Sequence, residues 1–187
     1  MGKIILCRGK KADTPLTVLQ TGVKLYTAEE LCYYIYNNIY LIGQDFIDDN
    51  LISFLDETGE KELAERVRKL KETGGSLAQI FVIILKTIDY YSVAEIEQLK
   101  EILNTLGKQS VCERLKARGD GYLNAGYYFA AVRCYESIIK DYKGKDLLAA
   151  DYAKVYHNLG TAYARMFMYD KAVIYYDEAY RTGQHEE

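Results

Sequence analysis

From Thr27 onward, apolar residues recur along the chain at the three- and four-residue spacing of amphipathic helices. The first such segment opens with Thr27-Ala28-Glu29-Glu30, a capping box in which the Thr27 and Glu30 side chains accept hydrogen bonds from each other's backbone N–H groups. Gly43 follows the segment, and glycine is common where helices end. We therefore predict a helix to about residue 42. The apolar residues on its inner face are Leu31, Ile35, Ile39 and Ile42.

Four more segments with the same periodicity precede residue 108. Asp48, Ser76 and Ser92 each stand directly before an apolar-periodic run, where an N-cap is expected. Glycines follow three of the four segments, at Gly59, Gly74-Gly75 and Gly107, and mark the ends of those helices. The predicted helices cover residues 48–58, 60–73, 76–90 and 92–106. The third is apolar on nearly all sides, which predicts that it is the central helix of a bundle of about five.

Residues 1–26 have a different pattern. Ile4-Ile5-Leu6-Cys7 is a short β-prone run, and the polar stretch that follows ends in Pro15, the single proline of the chain. A second β-prone stretch covers residues 18–26 and is interrupted at Gly22. These patterns predict a small hairpin or two short strands at the start of the chain.

The C-terminal half repeats itself with an offset of 41 residues. Within each unit a glycine precedes an alanine by twelve residues, and each small residue is followed within about one turn by a tyrosine. Small residues on two facing helices let the backbones approach closely, and the tyrosines fill the space beside that contact. The matched pairs are Gly119 and Gly160, Tyr122 and Tyr163, Tyr128 and Tyr169, Ala131 and Ala172, and Tyr135 and Tyr176.

This pattern resembles the tetratricopeptide repeat. The second unit, from Tyr156 through Ala179, matches the family pattern nearly throughout, with Tyr156 where tryptophan is common. The first unit, residues 112–145, departs from it at Arg118 and Ile138, and neither unit has the family's proline after its second helix. The resemblance implies a solenoid of two helical hairpins over residues 108–187, whereas the helical bundle over residues 1–107, with its β-prone start, is predicted from periodicity alone. We therefore expect an all-α fold in which the bundle is continuous with the solenoid.

The offset of 41 residues exceeds the usual repeat of 34 by seven, which is close to two helical turns. The additional residues lie around 142–153, where Lys143-Gly144-Lys145 precedes a new helical run. We therefore predict that the first helix of the second hairpin is two turns longer at its start.

The resemblance also implies a concave surface, lined mainly by the first helix of each hairpin, in which a protein partner is held. One sub-family grips the carboxylate at the end of a partner chain with Lys, Asn and Arg. Lys116 and Asn158 fall at matching places, but Asp120 replaces an expected asparagine and would repel a carboxylate. A general peptide or helix is therefore the expected ligand. The residues that project onto this surface are Glu113, Lys116, Asp120, Leu123, Asn124, Lys154, His157, Asn158, Thr161 and Arg165.

Composition narrows the function further. The net charge is −3 with the signs interspersed, so neither nucleic acid nor an anionic membrane is an expected partner. The four cysteines form no CxxC pair and the chain has two histidines, which indicates no metal site, and no motif indicates a cofactor. The longest apolar stretch, residues 77–85, is too short for a membrane span, and no signal-peptide core follows Lys3. We expect a cytoplasmic protein.

Three functions follow, of which the first is favoured. The protein is a non-catalytic adaptor that binds a partner segment in the concave surface, or a module that dimerises through its last repeat. The chain stops soon after the last repeat helix with no polar cap, so we hypothesise either a covering second copy or a longer parent protein. The third is an enzyme of unknown reaction, in which Cys134 and His157 would pair as nucleophile and base. No oxyanion-hole or phosphate-loop motif accompanies that pair.

Overall fold

The computed structural model describes residues 6–141 and 147–184. These residues form nine α-helices and one two-stranded sheet, which confirms an all-α fold with a minor β element at its start. The chain divides into two compact units, Met1–Lys108 and Gln109–Glu187. Three predicted features fall at least partly outside the described residues: the strand residues Ile4-Ile5, the linker Lys143-Gly144-Lys145, and the end of the chain at 185–187.

The β element is an antiparallel hairpin of strands β1 (Leu16–Val18) and β2 (Val23–Leu25). Leu16 pairs with Leu25 and Val18 with Val23. The turn is closed by the N–H groups of Thr21 and Gly22, which both donate to the Val18 carbonyl. Gly22 has a φ of 71°, a left-handed conformation that glycine adopts without steric cost. The predicted interruption at this glycine is therefore the turn of the hairpin.

Five α-helices follow in the first unit, as the periodicity predicts. Thr27 and Glu30 form the predicted capping box at the start of α1. Asp48 caps α2 by accepting from the Leu51 N–H, and Ser76 caps α4 in a second capping box with Gln79. A 3-10 turn at Gln44–Phe46 joins α1 to α2. The helices are α1 (Ala28–Asn37), α2 (Asp49–Glu57), α3 (Lys61–Glu72), α4 (Leu77–Ile88) and α5 (Val93–Lys108).

Two predicted helix ends are wrong. The first helix ends at Asn37 rather than near residue 42, because the backbone leaves the helical conformation at Asn38 (φ −126°, ψ 27°), whose side-chain amide donates to the Tyr34 carbonyl. Ile39 and Ile42 are nevertheless buried, in the turn that follows α1. At the other end of the unit, α5 continues through Gly107 to Lys108. Gly107 does not adopt the left-handed conformation with which glycine ends a helix, unlike Gly59 (φ 95°) and Gly74 (φ 73°).

The core of the first unit is built around α4. Ile80, Phe81, Ile84 and Leu85 are fully buried there, in the same cluster as Leu31 and Ile35 of α1 and Leu51 and Leu55 of α2. The hairpin adds Leu16, Val18 and Leu25 to this cluster. The apolar segment predicted to be central therefore lies in the core.

The second unit consists of two helical hairpins. The first pairs α6 (Val111–Asn124) with α7 (Tyr128–Asp141), and the second pairs α8 (Ala149–Arg165) with α9 (Tyr169–Gly183). α8 has 17 residues and α6 has 14, so α8 is longer by three residues, less than one turn. The predicted two-turn extension is therefore wrong. Among the helices of residues 6–141 and 147–184, none combines the length and apolarity that a membrane span requires.

Candidate partner-binding groove

The two hairpins of the second unit are closed by the same contact. A Cβ at Gly119 of α6 would lie 2.6 Å from the Tyr135 ring of α7, and a Cβ at Gly160 of α8 would lie 2.9 Å from the Tyr176 ring of α9. Real Cβ atoms do not approach other atoms so closely, so each ring occupies the space that the missing side chain leaves. The other repeated small residues, Ala131 and Ala172, are buried. The repeat identified in the sequence therefore brings each glycine against a tyrosine of the facing helix.

A hydrogen bond accompanies each of these contacts. The Tyr135 hydroxyl donates to Asp120 Oδ1 at 2.6 Å, and the hydroxyls of Tyr176 and Thr161 lie 3.2 Å apart. Asp120 and Thr161 each directly follow the glycine of their hairpin. The two hairpins therefore share one arrangement, with a charged acceptor in the first and a neutral hydroxyl in the second.

A groove of about 730 Å³ lies between α6, α8 and α9. It brings together five of the eight residues predicted to bind a partner: Lys116 and Asp120 from α6, and Lys154, His157 and Asn158 from α8. The remaining lining residues are Ala153, Tyr176, Ala179 and Tyr180.

Asp120 is the centre of a polar network on the α6 side of this groove. Its Oδ1 atom accepts from the Tyr135 hydroxyl and from the Asn158 amide at 2.9 Å, and Lys116 Nζ lies 3.2 Å from its Oδ2 atom. Burial raises the pKa of Tyr135, and the hydrogen bond to the Asp120 carboxylate raises it further. Tyr135 is therefore a neutral donor, and the charge of Asp120 is balanced by Lys116. The repulsion predicted from Asp120 alone is offset by these contacts.

The opposite side of the groove is cationic and aromatic. The Lys154 side chain is 65% exposed and lies 3.6 Å from Asp151, an ion pair of one helical turn. The His157 and Tyr176 rings have centroids 5.2 Å apart and are tilted by 53°. Tyr180 is 65% exposed. This side can therefore offer a positive charge next to an aromatic surface.

Three predicted binding residues do not line the groove. Asn124 and Arg165 are exposed, near the C-terminal end of α6 and at that of α8. Thr161 donates to the His157 carbonyl and contacts the Tyr176 hydroxyl, so it supports the wall. Of the other projected residues, Glu113 accepts from the Ser110 N–H in the capping box of α6, and Leu123 is half-buried.

The tyrosines of α9 are the lining residues that sequence reasoning did not assign to the groove. Tyr176 and Tyr180 are one turn apart on the same face of α9, and Ala179 lies beside them. The four-residue spacing of Tyr176 and Tyr180 can be read from the sequence. The prediction nevertheless assigned the concave surface to the first helix of each hairpin, so residues of the second helix, α9, were left out. Tyr122 and Tyr163, also part of the repeat, are buried packing residues.

The catalytic alternative places its two residues in different surroundings. Cys134 is buried on α7, whereas His157 is exposed on α8. In the part of the chain that the structure describes, no three His, Cys, Asp or Glu side chains are arranged to hold a metal ion.

No protein-family model matches the sequence, and no curated protein or solved structure matches the chain. What the groove can bind therefore follows from its own side chains.

Proposed function

We propose that the second unit is a pair of tetratricopeptide-type hairpins that hold a segment of a partner protein in the groove between α6, α8 and α9. The repeated contact of glycine and tyrosine, with its hydrogen bond, supports the assignment to this repeat type. The groove supports the binding role, since its volume lies within the range of about 300–1,000 Å³ that is usual for ligand sites. The observation that carries the proposal is the lining of the groove, which combines charged side chains with tyrosines.

The lining favours a segment with an acidic side chain beside an apolar one. Lys154 is the more exposed of the two lysines of the groove, and its 3.6 Å separation from Asp151 is too long for a hydrogen bond, so it can turn to a carboxylate of the ligand. The apolar neighbour would rest on Tyr176 and Tyr180, and aromatic side chains are the common anchors of such contacts. Asp120 already accepts from three donors, so we expect it to keep these contacts and not to bind the ligand.

The same proposal describes a binding protein without catalysis, acting in the cytoplasm. Cys32, Cys112 and Cys134 are buried thiols in helices, a usage that suits a reducing compartment. A peptide partner, rather than nucleic acid or membrane, agrees with the interspersed charges and the net charge of −3.

A selection of random twelve-residue peptides on the full chain tests this function. We expect the selected peptides to share an acidic residue next to an aromatic or aliphatic one. Lys154→Glu and Tyr180→Ala should each weaken their binding about tenfold, because one removes the charge pair and the other removes the aromatic anchor.

The matched control is Lys69→Glu, which makes the same charge change on an exposed lysine of α3, 71% accessible, outside the groove. Binding to this variant should equal binding to the unmodified chain. Peptides that bind Lys154→Glu, Tyr180→Ala and Lys69→Glu equally well would place the site elsewhere and refute the proposal.

A further inference from the structure

The outer face of α9 repeats, residue by residue, a surface of α7. We define this α9 outer face as Tyr169, Val173, Asp177, Tyr180 and Arg181. With the offset of 41 residues, the corresponding residues of α7 are Tyr128, Val132, Glu136, Ile139 and Lys140. These positions are spaced by three and four residues, so they lie on one side of each helix.

On α7, this surface binds the first helix of the next hairpin. Glu136 Oε1 accepts from the Tyr163 hydroxyl of α8 at 2.8 Å. Lys140 Nζ, one turn further along α7, lies 2.8 Å from the other carboxylate oxygen of Glu136. Val132, one turn before Glu136, is 8% exposed. The α7 surface thus combines an ion-paired carboxylate, which accepts from a tyrosine hydroxyl of α8, with a buried aliphatic residue.

α9 has an ion-paired carboxylate and apolar residues at the equivalent positions, but its apolar residues are exposed. Arg181 lies 3.0 Å from Asp177, which reproduces the ion pair of Lys140 with Glu136. Val173 is 66% exposed where its counterpart Val132 is buried, and Tyr169 and Tyr180 are 60% and 65% exposed. A row of large exposed apolar side chains around a prearranged carboxylate is typical of a binding surface.

We propose that the α9 outer face docks a helix of a partner protein that has the chemistry of α8. That helix donates a tyrosine hydroxyl to the Asp177 carboxylate and covers Val173 and Tyr180 with apolar side chains. The α7 surface, which shares this pattern, receives its tyrosine hydrogen bond from a first helix, α8, so the occupant is of the α8 type. Tyr180 borders both this surface and the groove, whereas Asp177 and Val173 do not line the groove, so changes at these two residues test this surface alone.

A helical peptide of residues 147–168 is the probe for this surface. A hydrocarbon staple between positions 154 and 158 keeps it helical on the side opposite Tyr163, since isolated helices of this length are marginal in water. We expect it to bind the full chain in a fluorescence anisotropy titration. Val173→Glu in the chain should abolish binding, and Asp177→Asn should weaken it five- to tenfold because a hydrogen bond to a charged acceptor is lost.

The Tyr163→Phe peptide distinguishes the proposed hydrogen bond from non-specific hydrophobic binding. It should bind the unmodified chain as weakly as the tyrosine peptide binds Asp177→Asn, and the two changes together should cause no further loss. Glu62→Gln, the same type of change at an exposed carboxylate of α3, should leave binding unchanged. If both peptides bind equally well to the chain and to Asp177→Asn, the proposal is wrong.

A second measurement covers the case in which the peptide does not bind. Appending another copy of residues 143–183 after Gly183 places an α8-type helix directly after α9. We expect the extended chain to have a higher urea midpoint, which Asp177→Asn lowers more than it lowers that of the unmodified chain. An unchanged midpoint overturns the proposal. A dimer of the original chain that Val173→Glu dissociates, and that the peptide does not displace, also overturns it and makes a second copy the occupant.

Discussion

At the scale of single residues, the second unit depends on two positions where a side chain would not fit. Gly119 and Gly160 lie inside helices, where glycine destabilises relative to alanine by up to about 1 kcal/mol. Each is nevertheless required, because a tyrosine ring fills the space at its Cα. The cost to the helix is offset by the close approach of the two helices in each hairpin.

Gly119→Ala should therefore destabilise the protein, although alanine is the better helix former. The new Cβ would lie 2.6 Å from the Tyr135 ring, and Tyr135 is fully buried, so the ring cannot move away freely. We expect the free energy of unfolding to fall by about 1–3 kcal/mol, measured by urea denaturation. The control is Gly107→Ala in α5, where a Cβ meets no atom; it should raise the free energy by about 0.5–1 kcal/mol. Equal effects at the two positions would refute this explanation.

The second residue-scale prediction concerns Glu29 of α1. Its Oε1 atom accepts the backbone N–H groups of Arg8 and Gly9, both at 2.7 Å, so it holds this segment against the helix. Burial opposes ionisation of the carboxyl group, but the backbone hydrogen bonds outweigh burial, and the pKa lies below its ordinary value of 4.5. A pKa that is lower in the folded than in the unfolded state adds stability above about pH 4.5, and this stability is lost as the pH falls through the lowered pKa.

Glu29→Gln should accordingly lower the free energy of unfolding at pH 7 by about 1–3 kcal/mol. The difference between the variant and the unmodified protein should shrink below pH 4.5, as the carboxyl group of the unmodified protein becomes protonated. Urea denaturation at a series of pH values measures it. Glu62→Gln, an exposed position of α3, should change stability by no more than about 0.5 kcal/mol. A Glu29 difference that does not depend on pH would contradict this account.

At the scale of elements, each of the two hairpins has a tyrosine hydrogen bond at the same position, but the two bonds differ in strength. Tyr135 is fully buried and donates to the carboxylate of Asp120, whereas Tyr176 is 37% exposed and contacts the hydroxyl of Thr161. Hydrogen bonds to charged groups contribute more than those between neutral groups. The α6–α7 hairpin should therefore be more sensitive to loss of its tyrosine hydroxyl than the α8–α9 hairpin.

Tyr135→Phe should cost about 1.5–3 kcal/mol of unfolding free energy, and Tyr176→Phe about 0.5–1 kcal/mol. Both changes remove a single oxygen atom and leave the ring against its glycine, so each is the control for the other. Thermal or urea denaturation of the two variants gives the comparison. A larger loss for Tyr176→Phe would show that the charged acceptor does not strengthen the bond.

The starts of the helices were predictable from the sequence because their contacts are local. Thr27 bonds to a residue three positions later, and Ser76 does the same with Gln79. The end of α1 was not predictable from apolar spacing, since Ile39 and Ile42 are buried with or without a helix. The chain leaves the helix at Asn38, whose side-chain amide donates to the Tyr34 carbonyl.

At the scale of the whole molecule, the groove was only partly predictable. The 41-residue repeat placed Lys116, Asp120, Lys154, His157 and Asn158 on the first helices, and these residues do lie together. The compensation of Asp120 was not visible, because its partners Tyr135 and Asn158 are 15 and 38 residues away along the chain. An isolated aspartate in a sequence is therefore a poor guide to the charge that a ligand meets.

The burial of the cysteines gives a test across both units. Cys7 is exposed, whereas Cys32, Cys112 and Cys134 are buried, and burial raises the pKa of the Cys32 thiol. A thiol reagent at pH 8 should label one cysteine rapidly in the native protein and all four in denaturant, as counted by mass spectrometry. The three slow cysteines should react only through opening of the structure, with rates that rise as urea approaches the unfolding midpoint. Rapid native labelling of two or more thiols would contradict the described packing.

The contact between each glycine and its tyrosine also constrains how such a protein can diverge. A larger residue at position 119 is acceptable only when the residue at position 135 becomes smaller, and the same holds for positions 160 and 176. Related sequences should therefore show correlated substitutions within each pair and independent substitutions between the pairs. A chain that has lost both glycines could still keep this architecture. It would be recognised by a larger residue at the glycine position together with a smaller residue at the tyrosine position of the same pair.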